Sequence, residues 1–236
     1  MPLYIRQKLF EKLKKQKGLF LVVGPTGSGK TTTLYALLQE LNSIEDNIIT
    51  IEDPVEYHLE GINQIQVNAK AKITFASGLR AILRQDPDII LVGEIRDLET
   101  AEIALRAALT GHTVLGTLHT RNSLEAIIRL QDMGIPSFRI GAALRAVIGQ
   151  RLVQIYCVHC QGQGCVCCHN SGYAGRQAVY EFLSITNKMQ ETISKTVSYN
   201  QLEKNASLEQ WRSFKYEAAE MLNKKITSEQ ALQELL

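Results

Sequence analysis

Eight consecutive residues, Gly24-Pro25-Thr26-Gly27-Ser28-Gly29-Lys30-Thr31, bring glycines, a lysine and hydroxyls together in an order that suits a bound polyphosphate. Phosphates are held by several donors converging from one side, and a glycine-rich turn between a strand and a helix supplies them as backbone N–H groups. Val22 and Val23 close an apolar run ahead of the turn, and Leu34, Leu37, Leu38 and Leu41 repeat at helical spacing behind it. The positive end of such a helix faces the ligand. Lys30 then reaches the terminal phosphates, Thr31 offers a hydroxyl to Mg²⁺, and Thr32 follows within the same turn. An ordinary glycine turn is the plain alternative, but strand, turn and helix occur here in the required order.

Cleaving a phosphoanhydride also needs acidic groups at the ends of neighbouring buried strands. Ile89-Ile90-Leu91-Val92-Gly93-Glu94 delivers a glutamate from an apolar run, a poor setting for a merely solvated charge. Glu52, Asp53 and Glu56 follow Ile51, with Pro54 fixing the turn between them. At least one of the three points toward nucleotide, and for any single one a surface role remains the alternative. Gly111-His112-Thr113-Val114-Leu115-Gly116-Thr117-Leu118-His119 sets a histidine at each end of a strand-like run. His119, at the carboxyl end where open α/β sheets bind ligands, reads as a γ-phosphate sensor. His112, at the other end, is a second nucleotide-binding candidate.

All five cysteines fall between Cys157 and Cys168. The pairs Cys157/Cys160 and Cys165/Cys168 supply four thiolates of the kind that hold tetrahedral Zn²⁺. The interval between the pairs, Gln161-Gly162-Gln163-Gly164, is far shorter than the usual loop of about 15 residues, and its glycines allow a tight reversal. Cys167, His159 and His169 are alternative ligands, and a cluster of reduced thiols without metal is the plain alternative. Such a local cluster suits a reducing compartment better than a disulfide framework does.

The elements that must position these groups are also legible. With 236 residues, 45% hydrophobic and 21% charged, the chain suits one large domain or a core with an appendage. A net charge of +2 gives no field for nucleic acid, and Arg6, Lys8, Lys12, Lys14, Lys15 and Lys17 read as a solvated helix face. No run approaches the roughly 18 apolar residues of a membrane span, and the opening lacks a secretory signal, so a cytoplasmic location is expected. Short apolar runs at 19–23, 48–51, 89–92 and 113–118 alternate with helical patterns, which builds a parallel sheet flanked by helices. Ile62, Ile65 and Val67 suggest a more exposed strand. Ala101, Ala104, Leu105, Ala108 and Leu109 form a helix ended by Gly111, and Asn122 or Ser123 caps another running to 130. After Pro136, residues 138–148 read as one more helix, and the core is expected to end near Gly149. Ser207 with Gln210, and Thr227 with Gln230, match capping boxes for two late helices ending at Leu236. The expected division is a helix or linker at 1–17, an ATPase-like core at 18–150, a tetracysteine module at 151–182 and a helical segment at 183–236.

The residues at 24–33, the Ile-Glu-Asp-Pro-Val-Glu box at 51–56, Gly-Glu-Ile-Arg-Asp at 93–97 and the two histidines at 112 and 119 together resemble the secretion ATPases. The match is to their type II secretion and type IV pilus assembly branch. The resemblance implies an α/β fold with a RecA-like P-loop NTPase core, a small Cys-rich zinc subdomain and C-terminal helices. It also implies ATP and Mg²⁺ as ligands, a hexameric ring, and a peripheral place on the cytoplasmic face of an inner-membrane platform protein. Filament assembly driven by ATP hydrolysis is the activity implied, with no direct nucleic-acid binding. Glu56 matches the glutamate that polarises water, Gly93 and Glu94 match an atypical Walker B box, and Glu94 organises Mg²⁺. Arg96, Arg80 and Arg84 match basic positions near nucleotide or subunit boundaries. Gly172-Tyr173-Ala174-Gly175-Arg176, with Tyr180 and Glu181, resembles the family's exit from its cysteine module.

Family members carry a separate amino-terminal domain before this core, whereas about 17 residues precede the first strand here. If that domain is absent, feeble hydrolysis is expected, because charge that stabilises the transition state is missing. The cysteine module favours assembly over retraction motors, and its compact spacing looks most like the competence pseudopilus ATPases of Gram-positive bacteria, which support DNA uptake. Type II secretion is the nearest rival. A DNA-handling ATPase and a non-catalytic nucleotide-binding scaffold are the readings from other classes. Near-neutral charge disfavours the first, and the intact Lys30, Glu56 and Glu94 disfavour the second.

Overall fold

Alternate residues of the central strands feed opposite faces of one sheet, which is why the apolar runs lack a polar side. The computed structural model describes residues 1–195, 198–209, 211–233 and 235. In chain order, α1 (Leu3–Lys15) leads to β1 (Gly18–Val23), α2 (Lys30–Leu41), β2 (Ile48–Glu52), β3 (Asn63–Gln66) and α3 (Phe75–Ile82). Next come β4 (Ile89–Val92), α4 (Leu98–Leu109), β5 (Thr113–Leu118), α5 (Ser123–Asp132) and α6 (Ser137–Ala143). The chain continues with β6 (Leu144–Tyr156), β7 (Tyr173–Ser184), α7 (Asn187–Ser194), α8 (Tyr199–Leu208), α9 (Phe214–Asn223) and α10 (Glu229–Leu232). The strands form one sheet ordered β3-β2-β4-β5-β1-β6-β7, parallel throughout except for the antiparallel β6–β7 pair.

Leu19, Leu21, Val23, Ile49, Ile51, Ile90 and Val92 face one core with residues of α3 through α8, including Leu79, Ala104, Ile127 and Ile193. Phe20, Val22, Ile48, Ile89, Leu91 and Leu115 face the other, against α1 and α2. In α1 the spacing of Ile5, Leu9 and Leu13 buries one stripe, worth roughly 1.5–3 kcal/mol per side chain. The basic residues of α1 lie on its solvated side, apart from Lys12, whose Nζ donates to the Ile185 carbonyl at 2.7 Å.

The expected helix over 138–148 is corrected: α6 stops at Ala143, and Leu144 starts the 13-residue strand β6. An apolar run of this length does not reveal its period, and here the free edge of β1 decides. Val22 pairs with Ile148 and Val23 with Gly149. Ala146 and Ile148 drop into one core and Leu144 and Val147 into the other. The sheet therefore does not end near Gly149; β6 crosses the boundary drawn at 150 and forms a long hairpin with β7.

The late capping boxes also differ. Ser207 lies inside α8, which Ser198 and Gln201 cap instead. Gln210 and Leu236 lie outside the described residues. Ser228, rather than Thr227, caps α10 by accepting from Ala231 N, while Thr227 Oγ1 donates to the Gln154 carbonyl at 2.5 Å.

Candidate functional site

Parallel pairing brings the carboxyl ends of β1, β2, β4 and β5 to one edge. Val23 stands opposite Leu118, Gly116 opposite Val92, and Val92 opposite Ile51. The residues that follow these positions, or close them, line one cleft of about 720 Å³: Thr26, Gly27, Gly29, Lys30, Thr31, Thr32, Glu52, Asp53, Glu56, Gly93, Glu94, Arg96 and His119. Sequence separations of up to about ninety positions collapse onto this edge.

Helix α2 opens at the cleft with Gly29 as its N-cap, at φ 86°, and among the described residues no side chain caps its first N–H groups. That leaves the donors and positive end of the helix for an anion. Lys30 Nζ lies 2.9 Å from the carbonyls of both Gly24 and Pro25, which arches the lysine along the loop. Burial pulls its pKa down, the Glu94 carboxylate opposes that, and Arg151 adds to the lowering. Gly24, Pro25 and Ser28 shape the loop without lining the cleft. Ser28 is buried, and its hydroxyl has no hydrogen-bond partner among the described residues.

Glu94 is addressed by two basic side chains of the site. Arg96 holds one oxygen at 2.6 Å, and His119 Nε2 approaches the other at 3.1 Å. Burial pushes the Glu94 pKa up, but Arg96, His119 and Lys30 together bring it below the usual carboxylate value. The preceding Gly93 is tightly enclosed: a Cβ there would stand 3.1 Å from the Ile51 carbonyl and 3.2 Å from Glu52 Cα, so its neighbours would have to give by a few tenths of an ångström. Thr117 Oγ1 donates to the Gly93 carbonyl at 2.6 Å, tying the turn to β5.

Glu52 is buried and takes three donors: Tyr35 Oη at 2.5 Å, Thr50 Oγ1 at 2.6 Å and Gln64 Nε2 at 3.2 Å. It anchors the acidic turn, while Asp53 and Glu56 stand exposed at the cleft. The same Tyr35 hydroxyl accepts from Glu56 N at 3.3 Å. Burial and the Glu52 carboxylate raise the Tyr35 pKa, so it stays a donor.

His112 is not brought to the cleft. Strand polarity puts it at the far end of β5, where its Nδ1 lies 3.0 Å from the Ala107 carbonyl and closes the end of α4. Arg80 pairs with Glu99, and Arg84 donates to the Arg80 carbonyl; neither lines the cleft. Sequence reasoning missed Tyr35, Gln64, Thr117 and Gln150. Tyr35 left a trace, since a buried tyrosine inside an apolar helical stripe needs a partner for its hydroxyl; the two glutamines left none.

A second cluster closes the β6–β7 hairpin. The sulfurs of Cys157, Cys160, Cys165 and Cys168 all lie within 4.8 Å of one another, with nearest approaches of 3.7–3.9 Å. Four sulfurs around Zn²⁺ at about 2.3 Å would sit about 3.8 Å apart, so the donor set fits that ion. The short interval is no obstacle, because Gly162 and Gly164 reverse the chain at φ 93° and 89°. Cys167 is exposed, and neither it nor His159 or His169 belongs to the converging group. Burial would raise the Cys168 thiol, but N–H groups of Cys165 and Gly172 pointing at its sulfur help bring it down to about 6.

Known proteins resemble this chain in sequence and in fold. Type II secretion system protein E of Pseudomonas aeruginosa is 48% identical over 226 residues, covering 85% of this chain and 45% of that protein. Type II secretion system ATPase E of Vibrio cholerae is 47% identical over 218 residues, covering 82% of this chain and 43% of that protein. The chain thus spans less than half the length of these relatives. Among solved structures, the pilus retraction motor PilT with bound ADP superposes with a TM-score of 0.82 at 34% identity, covering all of this chain and 65% of that one. The family model described as Type II/IV secretion system protein matches residues 4–235, and the chain belongs to that family.

Proposed function

We propose that the chain is the motor portion of an ATPase that hydrolyses Mg-ATP to drive assembly of a pilin-like filament. The observation that carries this reading is the convergence of the glycine-rich loop, Glu94, Glu56 and His119 on one sheet edge. Backbone N–H groups of the loop and Lys30 hold the phosphates. Thr31 and Glu94 are the residues that would hold Mg²⁺, which supplies charge neutralisation on the phosphates. Glu56 accepts a proton from the attacking water, Glu52 and Tyr35 keep its turn in place, and His119 and Arg96 fix Glu94. The test is Mg-ATP turnover by the chain beside Lys30→Ala. Loss of turnover and nucleotide binding in the variant supports the reading, and an unchanged variant removes it.

The family supports a homo-hexameric ring placed at the cytoplasmic face of the inner membrane by a platform protein. Among the described residues no helix is long and apolar enough to cross a membrane. The four cysteines would hold Zn²⁺ as a structural cross-link of the hairpin. The relatives at 47–48% identity are type II secretion proteins, so a type II secretion filament is the system proposed. The four-residue interval between the cysteine pairs favours a second reading, the competence pseudopilus. Gene deletion separates them: lost export of secreted enzymes marks the first, lost DNA uptake the second.

A further inference from the structure

We infer that Gln150 is a positioning residue for the phosphate cradle, setting the peptide between Ser28 and Gly29 so that the Gly29 N–H faces the phosphates. The inference rests on the nucleotide reading above. Gln150 lies on β6 with 2% of its surface exposed, and it lines no part of the cleft. Its Nε2 donates to the Ser28 carbonyl at 2.8 Å, and its Oε1 accepts from Thr33 Oγ1 at 2.7 Å. One side chain from a distant strand thereby joins the end of the loop to the first turn of α2. The orientation of the carboxamide follows from its partners, because the Ser28 carbonyl can only accept and so must meet the NH₂ group.

The consequence for the loop comes from peptide geometry. A trans peptide is planar, and its C=O and N–H point in opposite directions. With the Ser28 carbonyl turned inward onto Gln150, the Gly29 N–H of the same plane turns outward, to the side of the cleft that Gly29 lines. The contact is close: a Cβ at Gly29 would lie 2.8 Å from Gln150 Nε2. Pairing of Val23 with Gly149 fixes where β6 presents Gln150 to the loop. A buried carboxamide that only filled space would not need both bonds to fall on the two ends of one phosphate-binding turn.

Calorimetric titration of the chain with Mg-ADP tests this. Gln150→Met keeps the length but removes the donor, and Thr33→Val removes the hydroxyl that holds the other end of the carboxamide. On the folded proteins, ADP affinity is expected to fall about tenfold in Gln150→Met and about threefold in Thr33→Val. The Gly29 amide resonance should also lose its ADP-dependent shift in Gln150→Met. A packing role alone lowers the melting temperature and leaves the affinity of the folded chain unchanged, and that result overturns the inference. If Gln150→Met does not fold, Thr33→Val decides, and wild-type affinity there is equally fatal. A wild-type chain that fails to bind ADP overturns the nucleotide reading and takes this inference with it, so the two failures are told apart by the wild-type titration.

Discussion

His119 Nε2 lies 3.1 Å from one oxygen of Glu94 while Arg96 holds the other at 2.6 Å. The carboxylate is thereby gripped between the end of β5 and the turn after β4, and the Lys30 ammonium adds its charge to the same neighbourhood. A group so placed has little freedom to leave the cleft, and its charge is maintained near neutral pH.

Glu94→Gln keeps the shape and removes the charge. Hydrolysis is expected to fall about 10²- to 10⁴-fold, while ATP binding persists because the loop and Lys30 are intact. Turnover measured beside nucleotide retained after gel filtration checks this, and wild-type turnover in the variant removes Glu94 from the chemistry.

The same grip predicts a pH dependence. The folded pKa of Glu94 lies below its ordinary value, so its contribution to stability is present above the unfolded pKa of about 4.3 and is lost as pH falls through the lower folded value. Urea unfolding at about pH 6 and about pH 3 should show wild type losing more stability on acidification than Glu94→Gln. Equal losses in the two proteins contradict the assignment.

Tyr35→Phe deletes the hydroxyl that donates to buried Glu52 and accepts from Glu56 N. Leaving a buried carboxylate short of a donor is expected to cost about 1–3 kcal/mol. Urea unfolding reads that cost, and turnover should fall as well, since the turn bearing Glu56 loses its tether. A variant with unaltered stability and turnover shows that the bridge does nothing.

If the four thiolates hold zinc, a strong chelator should release about one ion per chain, read with a colorimetric zinc indicator. Hydrogen exchange should then quicken across 157–172 and leave β1, β4 and β5 protected. A native protein without metal, or one that unfolds throughout on chelation, rejects the local role.

The parallel core was readable because strands buried on both faces are apolar along their whole length, as in 19–23 and 89–92. The meeting of the loop at 24–31 with Glu94 was readable because each follows an apolar parallel strand and so falls at the same sheet edge. Leu144 to Ile148 failed for the opposite reason: a short apolar run has no period of its own, and only the unpaired edge of β1 makes it a strand. His112 was misplaced in the site by its kinship in pattern with His119, although strand direction sends the two to opposite ends of β5. Gln150, Gln64 and Tyr35 could not be assigned from spacing, since their partners lie 122, 12 and 17 positions away.

One strand, β6, runs 13 residues, passes the cradle at Gly149 and Gln150, and ends at Tyr156 beside the first cysteine pair. At about 3.3 Å per residue the stretch from Gln150 to Tyr156 is a beam of about 20 Å, paired along its length with β7. A swing of about five degrees at the cradle end would carry the far tip through about 1.7 Å, roughly half a strand residue. The hairpin thus makes the loop at 24–31 and the cysteine cluster the two ends of one short lever.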